Sequence, residues 1–220
     1  MEYSIIIPIF NENEKVDFLL NELESFKDVF EIIIIDDGSN DGATEKISII
    51  EDIVLIRNKI NLGKSASVIR GLDVAKGKYV ILFDGDLEIS TIQIKKLFKI
   101  HKKNKNLIVK GNRNLKSNKI TVFGLGGCIL NYFFNFINKS SFKDIFCCLI
   151  IIEKKLLKSF NIQSKKFGLE TEIMTNIVRK NLQYIEKKIE YKRRRFKKGK
   201  KFNIFDVYEI LKIMVLNRIR

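Results

Sequence analysis

Apolar residues along this chain fall into short continuous runs, separated by stretches in which they recur at helical spacing. "YSIIIPI" (3–9), "FEIIIID" (30–36), "IVLIR" (53–57), "KYVILFD" (78–84) and "NLIVKGN" (106–112) are rich in Ile and Val, too continuous for strands with one wet face. Between them, "NEKVDFLLNELESF", "DGATEKIS", "GKSASVIRGLDVAKG" and "TIQIKKLFKIHKK" read as helices. Strand and helix in alternation predict an α/β fold, a mainly parallel sheet flanked by helices. In such sheets ligands gather at the carboxyl ends of the strands. Those ends here carry "FNEN", "DDGSND" and "DGDLE".

Two later stretches extend the pattern. "ITVFGLGGCILNYFFNFI" (120–137) approaches the roughly 18 apolar residues that span a bilayer as a helix. Its Thr121, Asn131 and Asn135, with three glycines near its start, favour a buried or membrane-grazing helix instead. "NIFDVYEILKIMVLNRIR" (203–220) has apolar residues at 204, 207, 208, 211, 214 and 215, the spacing of a helix packed on a core, with a membrane surface as the alternative contact. The 220 residues read as one domain, with a nucleotide-binding half (1–115) and an acceptor-side half (116–220). A single proline, Pro8, leaves no proline-rich linker between them.

Composition adds a bias in charge. With 45% hydrophobic and 30% charged residues the chain is globular, yet its net charge is +15. "YKRRRFKKGKKF" (191–202) holds eight basic residues and no acid. An anionic membrane, a phosphorylated substrate or a nucleic acid would each suit it, but no nucleic-acid recognition motif accompanies the run. Cys128, Cys147 and Cys148 form neither a disulfide framework nor a zinc spacing, and the last two sit in an apolar run as small hydrophobes would. The opening "MEYSIIIPIF" lacks the basic n-region of a secretory leader. His101, in "FKIHKKNK", is expected on a helix surface with no catalytic role.

The acidic clusters carry the chemistry. Asp84, Asp86 and Glu88 end an apolar run within five positions, and like charges that close cost stability unless a cation sits among them; a metal, a phosphate-bearing substrate held through one, or a plain solvated turn would each answer. Hard carboxylate oxygens suit Mg²⁺ or Mn²⁺, which bind partly through substrate phosphates. A metal-held diphosphate is a better leaving group. In an extended chain Glu88 lies on the side of Asp86 and completes a shell of Asp84, Asp86 and Glu88. Asp36 and Asp37, before Gly38 and Ser39, suit either a nucleoside contact or an Asx turn. "NLGKSAS" is not a phosphate-binding P-loop, because the required first glycine is Asn58. Nor does the DGD fit an aspartyl-phosphate phosphatase, since Glu88 stands where those enzymes carry Thr.

Taken in order, "IIIPIFNENE", "IIIIDDGSNDGA", "NLGKSASVIRGLDVAKGKYVILFDGDLE", "VKGNR", "KDIFCC", "FGLETEI" and "YKRRRFKKGKKF" resemble the family 2 glycosyltransferases of the GT-A (Rossmann-like) fold, in the branch of dolichyl- and undecaprenyl-phosphate sugar synthases. The resemblance implies a GT-A sheet with a C-terminal, acceptor-side helical and basic elaboration. It implies that Pro8, Asn11 and Glu12 line the nucleotide pocket, that Asp36 and Asp37 hold base and ribose, and that Lys64 lies close to the donor. Asp84 and Asp86 correspond to the DxD motif, with Asp86 and Glu88 as direct metal ligands. Arg113, Arg194, Lys200 and Lys201 correspond to positions that hold an acceptor phosphate. Asp144, Glu170 and Glu172 fall on the family's later acidic positions.

The implied function is inverting, Mg²⁺- or Mn²⁺-dependent transfer from a UDP- or GDP-linked sugar to a polyprenyl phosphate. Such an enzyme would be cytoplasmic and peripheral at the inner face of the cell membrane. A saccharide or protein hydroxyl is the alternative acceptor, and a catalytically silent sugar-nucleotide binder the alternative class. The chain departs from the family at Ile89, Ser90 and Thr91, where Tyr and Pro are usual, at "FGLETE", and in lacking C-terminal transmembrane helices within these residues.

Overall fold

The structure is a computed structural model and describes residues 1–114, 122–164, 168–193 and 204–219. Seven strands form one sheet: β1 (Tyr3–Ile9), β2 (Phe30–Asp36), β3 (Ile53–Arg57), β4 (Tyr79–Leu82), β5 (Ile108–Asn112), β6 (Ile150–Glu153) and β7 (Tyr184–Lys188). The eight helices among the described residues are α1 (Asn13–Glu24), α2 (Ala43–Ser48), α3 (Lys64–Val74), α4 (Ile92–Lys103), α5 (Val122–Asn138), α6 (Lys154–Lys158), α7 (Leu169–Arg179) and α8 (Ile204–Ile219). The strand order is β3-β2-β1-β4-β6-β5-β7, parallel except for β6, which runs antiparallel to both of its neighbours. Strands from both halves of the chain therefore share one sheet.

Alternation along each strand builds two cores. Ile5, Ile7, Ile32, Ile34, Ile81 and Ile151 point to one face, against Leu19 and Leu23 of α1 and Leu97 of α4. Ile6, Ile33, Ile35, Val80, Ile150 and Ile152 point to the other, against α3, α7 and α8. Burying a side chain of this size is worth about 1.5–3 kcal/mol, so strands apolar on both faces are stable only inside this sandwich. Cys147 and Cys148 lie in the same interior, where burial pushes the Cys147 thiol up to about 11.

Three expectations need correction. His101 is not on the surface: it is 1% exposed, and its Nδ1 shares a 3.0 Å hydrogen bond with the Tyr3 hydroxyl. Lysines flank it in sequence, but helical rotation turns its ring inward, edge-on to Tyr3 and Tyr79. β4 stops at Leu82, two residues before the end of the segment 78–84 predicted for it. On α8 the buried face runs through Ile210 and Met214, while Tyr208 and Val215, expected inside, are exposed.

The β1–β2 crossover leads to one side and β4 lies on the other, so the switch point of the sheet falls between β1 and β4. Pairing of β1 with β4 ends at Ile6–Leu82. Pro8 has no N–H to continue the ladder, and the regular pairing of β1 with β4 stops before it.

Candidate functional site

The loops above β1 and β2 are tied to each other rather than to solvent. Asn11 adopts a left-handed φ of 54°. Its N–H donates to Ser39 Oγ at 2.9 Å, and its Oδ1 accepts from Asn40 N at 3.1 Å. Asp41 accepts from Asn13 N and Ala43 N, so one carboxylate caps both α1 and α2. Glu12 is half-buried at the N-cap of α1, and Pro8 O accepts from Gly85 N. Asp36 and Asp37 are buried. Asp36 accepts from Ser39 N and Thr44 Oγ1, with Arg57 Nε at 3.8 Å. Asp37 accepts from Asn58 Nδ2, Leu62 N and Gly63 N at 2.6–2.9 Å. The Asx-turn chemistry is thus realised, and Asp37 fixes the loop that leads into Lys64.

At the tip of β4 the acidic cluster meets its cation. Lys64 Nζ, opening α3, lies 2.7 Å from Asp84 Oδ1 and also binds Glu170 on α7. Burial disfavours its charged form, but Asp84 and Glu170 outweigh that and hold the ammonium well above the usual lysine range. Gly85 is required here, since a Cβ would collide with Ile9 Cγ2. Lys15 Nζ donates to the Asp86 carbonyl at 2.5 Å.

The extended path assumed for Glu88 fails at Leu87, whose φ is 57°. The chain turns back, Glu88 N donates to Asp86 Oδ1 at 3.1 Å, and Glu88 Oε2 accepts from the Tyr191 hydroxyl at 2.6 Å. Among the described residues no three His, Cys, Asp or Glu side chains come together in a metal-holding group. Mg²⁺-like ions are held by one or two carboxylates plus substrate phosphates. Asp84 and Asp86, hard oxygen donors in one turn, fit that mode.

Arg113, expected beside an acceptor phosphate, is anchored from behind. Its Nε and Nη2 donate to Asp144 at 2.7 and 2.9 Å, and its backbone N–H donates to the same carboxylate. Asp144 is fully buried. Burial alone would raise its pKa, but the bond to Arg113 wins and lowers it. The guanidinium carbon of Arg113 sits 5.2 Å from the Tyr191 ring centroid. Lys110 is also buried, 3.2 Å from Glu186, which accepts in turn from Lys143 N and Asp144 N. Glu172 closes the 163–164 turn by accepting from both backbone nitrogens. Arg194, Lys200 and Lys201 lie outside the described residues.

Tyr191 was not foreseen. It joins Glu88 of the acidic turn to Arg113, and Lys192 N donates to Glu88 O at 2.8 Å, strapping the chain beyond β7 onto that turn. Nothing local marks Tyr191 except its place before the basic run. Lys110 did carry a signal, a lone lysine within an apolar strand.

A parallel sheet broken by one antiparallel strand, with an acidic turn at its switch point, is the architecture of GT-A glycosyltransferases. The chain superposes on glucosyl-3-phosphoglycerate synthase from Mycobacterium tuberculosis, in complex with Mn²⁺, UDP and glucosyl-3-phosphoglycerate, with a TM-score of 0.70 at 14% identity, covering 98% of this chain and 79% of that one. Residues 4–159 match the family model described as glycosyl transferase family 2, and the chain belongs to that family. It is 35% identical over 103 residues to an undecaprenyl-phosphate 4-deoxy-4-formamido-L-arabinose transferase of Aeromonas hydrophila, a match covering 43% of this chain and 32% of that protein. Over 125 residues it is 30% identical to a dolichol-phosphate mannosyltransferase of Pyrococcus furiosus, covering 54% of this chain and 35% of that protein. The chain thus spans about a third of each of these curated relatives.

Proposed function

We propose that this chain is an inverting, metal-dependent glycosyltransferase acting on a polyprenyl phosphate, dolichyl or undecaprenyl, at the cytoplasmic face of the cell membrane, with a UDP- or GDP-linked sugar as donor. One observation carries the reading: at the β1/β4 switch point Lys64 is held charged between Asp84 and Glu170, beside the DGD turn. Relatives named as polyprenyl-phosphate sugar transferases support the acceptor class, and the Mn²⁺–UDP complex of the structural neighbour supports a divalent ion.

In this reading Pro8, Asn11 and Glu12 edge the nucleotide, and the loop fixed by Asp36 and Asp37 shapes the wall for base and ribose. Asp84 and Asp86 would hold Mg²⁺ or Mn²⁺, which when bound neutralises charge developing on the diphosphate. Lys64 adds a fixed positive charge to the same region. Arg113, its angle set by Asp144, faces the acceptor phosphate together with Arg194, Lys200 and Lys201. A phosphate monoester with a second pKa of about 6 is mostly dianionic at neutral pH and needs no general base. That suits this site, where Asp144, Glu170 and Glu172 are engaged by Arg113, Lys64 and backbone N–H groups. An alcohol acceptor would need one of them released.

The test incubates purified protein with UDP- and GDP-sugars, Mg²⁺ or Mn²⁺, and a short polyprenyl phosphate. Metal-dependent glycosylation of the lipid with inverted configuration is the expected result. Transfer only to a saccharide or peptide hydroxyl would overturn the acceptor assignment.

A further inference from the structure

α5 is built opposite to an ordinary surface helix. Its 17 residues include no charged side chain, in a chain that is 30% charged. Its asparagines are spent inward. Asn131 and Asn135 both donate to Phe142 O, Asn131 Oδ1 accepts from Ile145 N, and Asn138 Nδ2 donates to Phe134 O. Its large apolar residues are split. Phe134 is buried, but Leu125, Ile129, Tyr132 and Phe136 are 49%, 59%, 74% and 73% exposed. Their spacing of four, three and four places them on one stripe. Isolated exposed hydrophobes are ordinary, whereas a continuous uncharged stripe marks a contact surface.

We infer that this stripe is a membrane-docking face that seats in an anionic lipid surface. Three features select lipid over a protein partner. The two most exposed residues of the stripe, Tyr132 and Phe136, are aromatic, the kind of side chain that favours a bilayer interface. Cations flank the helix in sequence, Lys116 and Lys119 before it and Lys139 and Lys143 after it, with no acid until Asp144. The whole chain carries a net charge of +15, complementary to anionic headgroups. The helix does not cross the bilayer: no helix among the described residues is long and apolar enough to do so.

The position of the stripe gives it a purpose. α5 lies in the connection between β5, which ends at Asn112, and β6, which begins at Ile150, and Arg113 and Asp144, before and after the helix, pair with each other. Seating the stripe in lipid would bring the Arg113–Asp144 pair, which brackets the helix in sequence, toward the surface that carries a lipid-borne phosphate. The inference takes its use from the acceptor proposed above, but its test requires no sugar transfer, so failure of that assignment leaves it standing.

The chain contains no tryptophan, so Tyr132→Trp installs a sole reporter. With vesicles of phosphatidylglycerol and phosphatidylcholine its emission is expected to shift to the blue and to be quenched by acyl-brominated lipid. Tyr132→Ser combined with Phe136→Ser is expected to co-sediment with the same vesicles about tenfold less than wild type, with an unchanged melting temperature. Unquenched emission from vesicle-bound protein, or equal sedimentation of the double variant, would overturn the proposal. So would a wild-type dimer that the double variant dissolves, which would assign the stripe to a second copy. If the double variant fails to fold, the Tyr132→Trp quenching alone decides.

Discussion

Asp144 and Arg113 depend on each other. Asp144 is fully buried and its charge is answered by three hydrogen bonds from Arg113, so removing either partner strands the other. Asp144→Ala is expected to cost about 3–5 kcal/mol in urea denaturation, the range for breaking a buried ion pair. His101 adds a pH dependence of the same sign from a neutral group. Burial, aided by Lys105, lowers its pKa from 6.5 to about 4, so the native state keeps it neutral where the unfolded chain is protonated. Stability from this residue is complete above pH 6.5 and is lost as pH falls toward 4, on the order of 3 kcal/mol in all. In urea titrations across that window, His101→Gln is expected to flatten the slope. An unchanged slope would assign the acid sensitivity to the carboxylates instead.

At the scale of elements, the strap formed by Tyr191 and Lys192 matters most, because it ties the chain beyond β7 to the acidic turn after β4. Tyr191→Phe keeps the ring under Arg113 and removes the hydroxyl bond to Glu88. The expected loss is about 1 kcal/mol of stability. Turnover should fall several-fold while nucleotide affinity in a direct titration stays within about twofold. Equal loss in both would make Tyr191 part of the donor pocket.

The same elements show what sequence could reveal. β1, β2, β4 and β5 were legible because buried parallel strands read as Ile- and Val-rich runs, and β3 by the same composition although it is a part-exposed edge strand; Asn11, Asp36 and Asp84 marked the carboxyl ends of β1, β2 and β4. β6 lay in a visible apolar run, but no local pattern states that a strand will insert antiparallel between β4 and β5. β7, "YIEKK", is an edge strand whose charges hide it. Glu88 was misdirected by one backbone angle at Leu87, and the burial of His101 was set by Tyr3, nearly a hundred residues away.

As a whole, the molecule places its chemistry along one edge of the sheet. The loops after β1, β2 and β4 carry the residues proposed for the donor, the Arg113–Asp144 pair is proposed for the acceptor phosphate, and α5 carries an outward apolar stripe between those two residues in sequence. The central claim is that a nucleoside diphosphate and a divalent ion share the DGD turn. Calorimetric titration of UDP and GDP with and without Mn²⁺, into wild type and Asp86→Ala, tests it most directly. The account predicts Mn²⁺-dependent binding by wild type and an affinity lowered about tenfold or more in Asp86→Ala at an unchanged melting temperature. Metal-dependent binding of equal strength in the variant would contradict it.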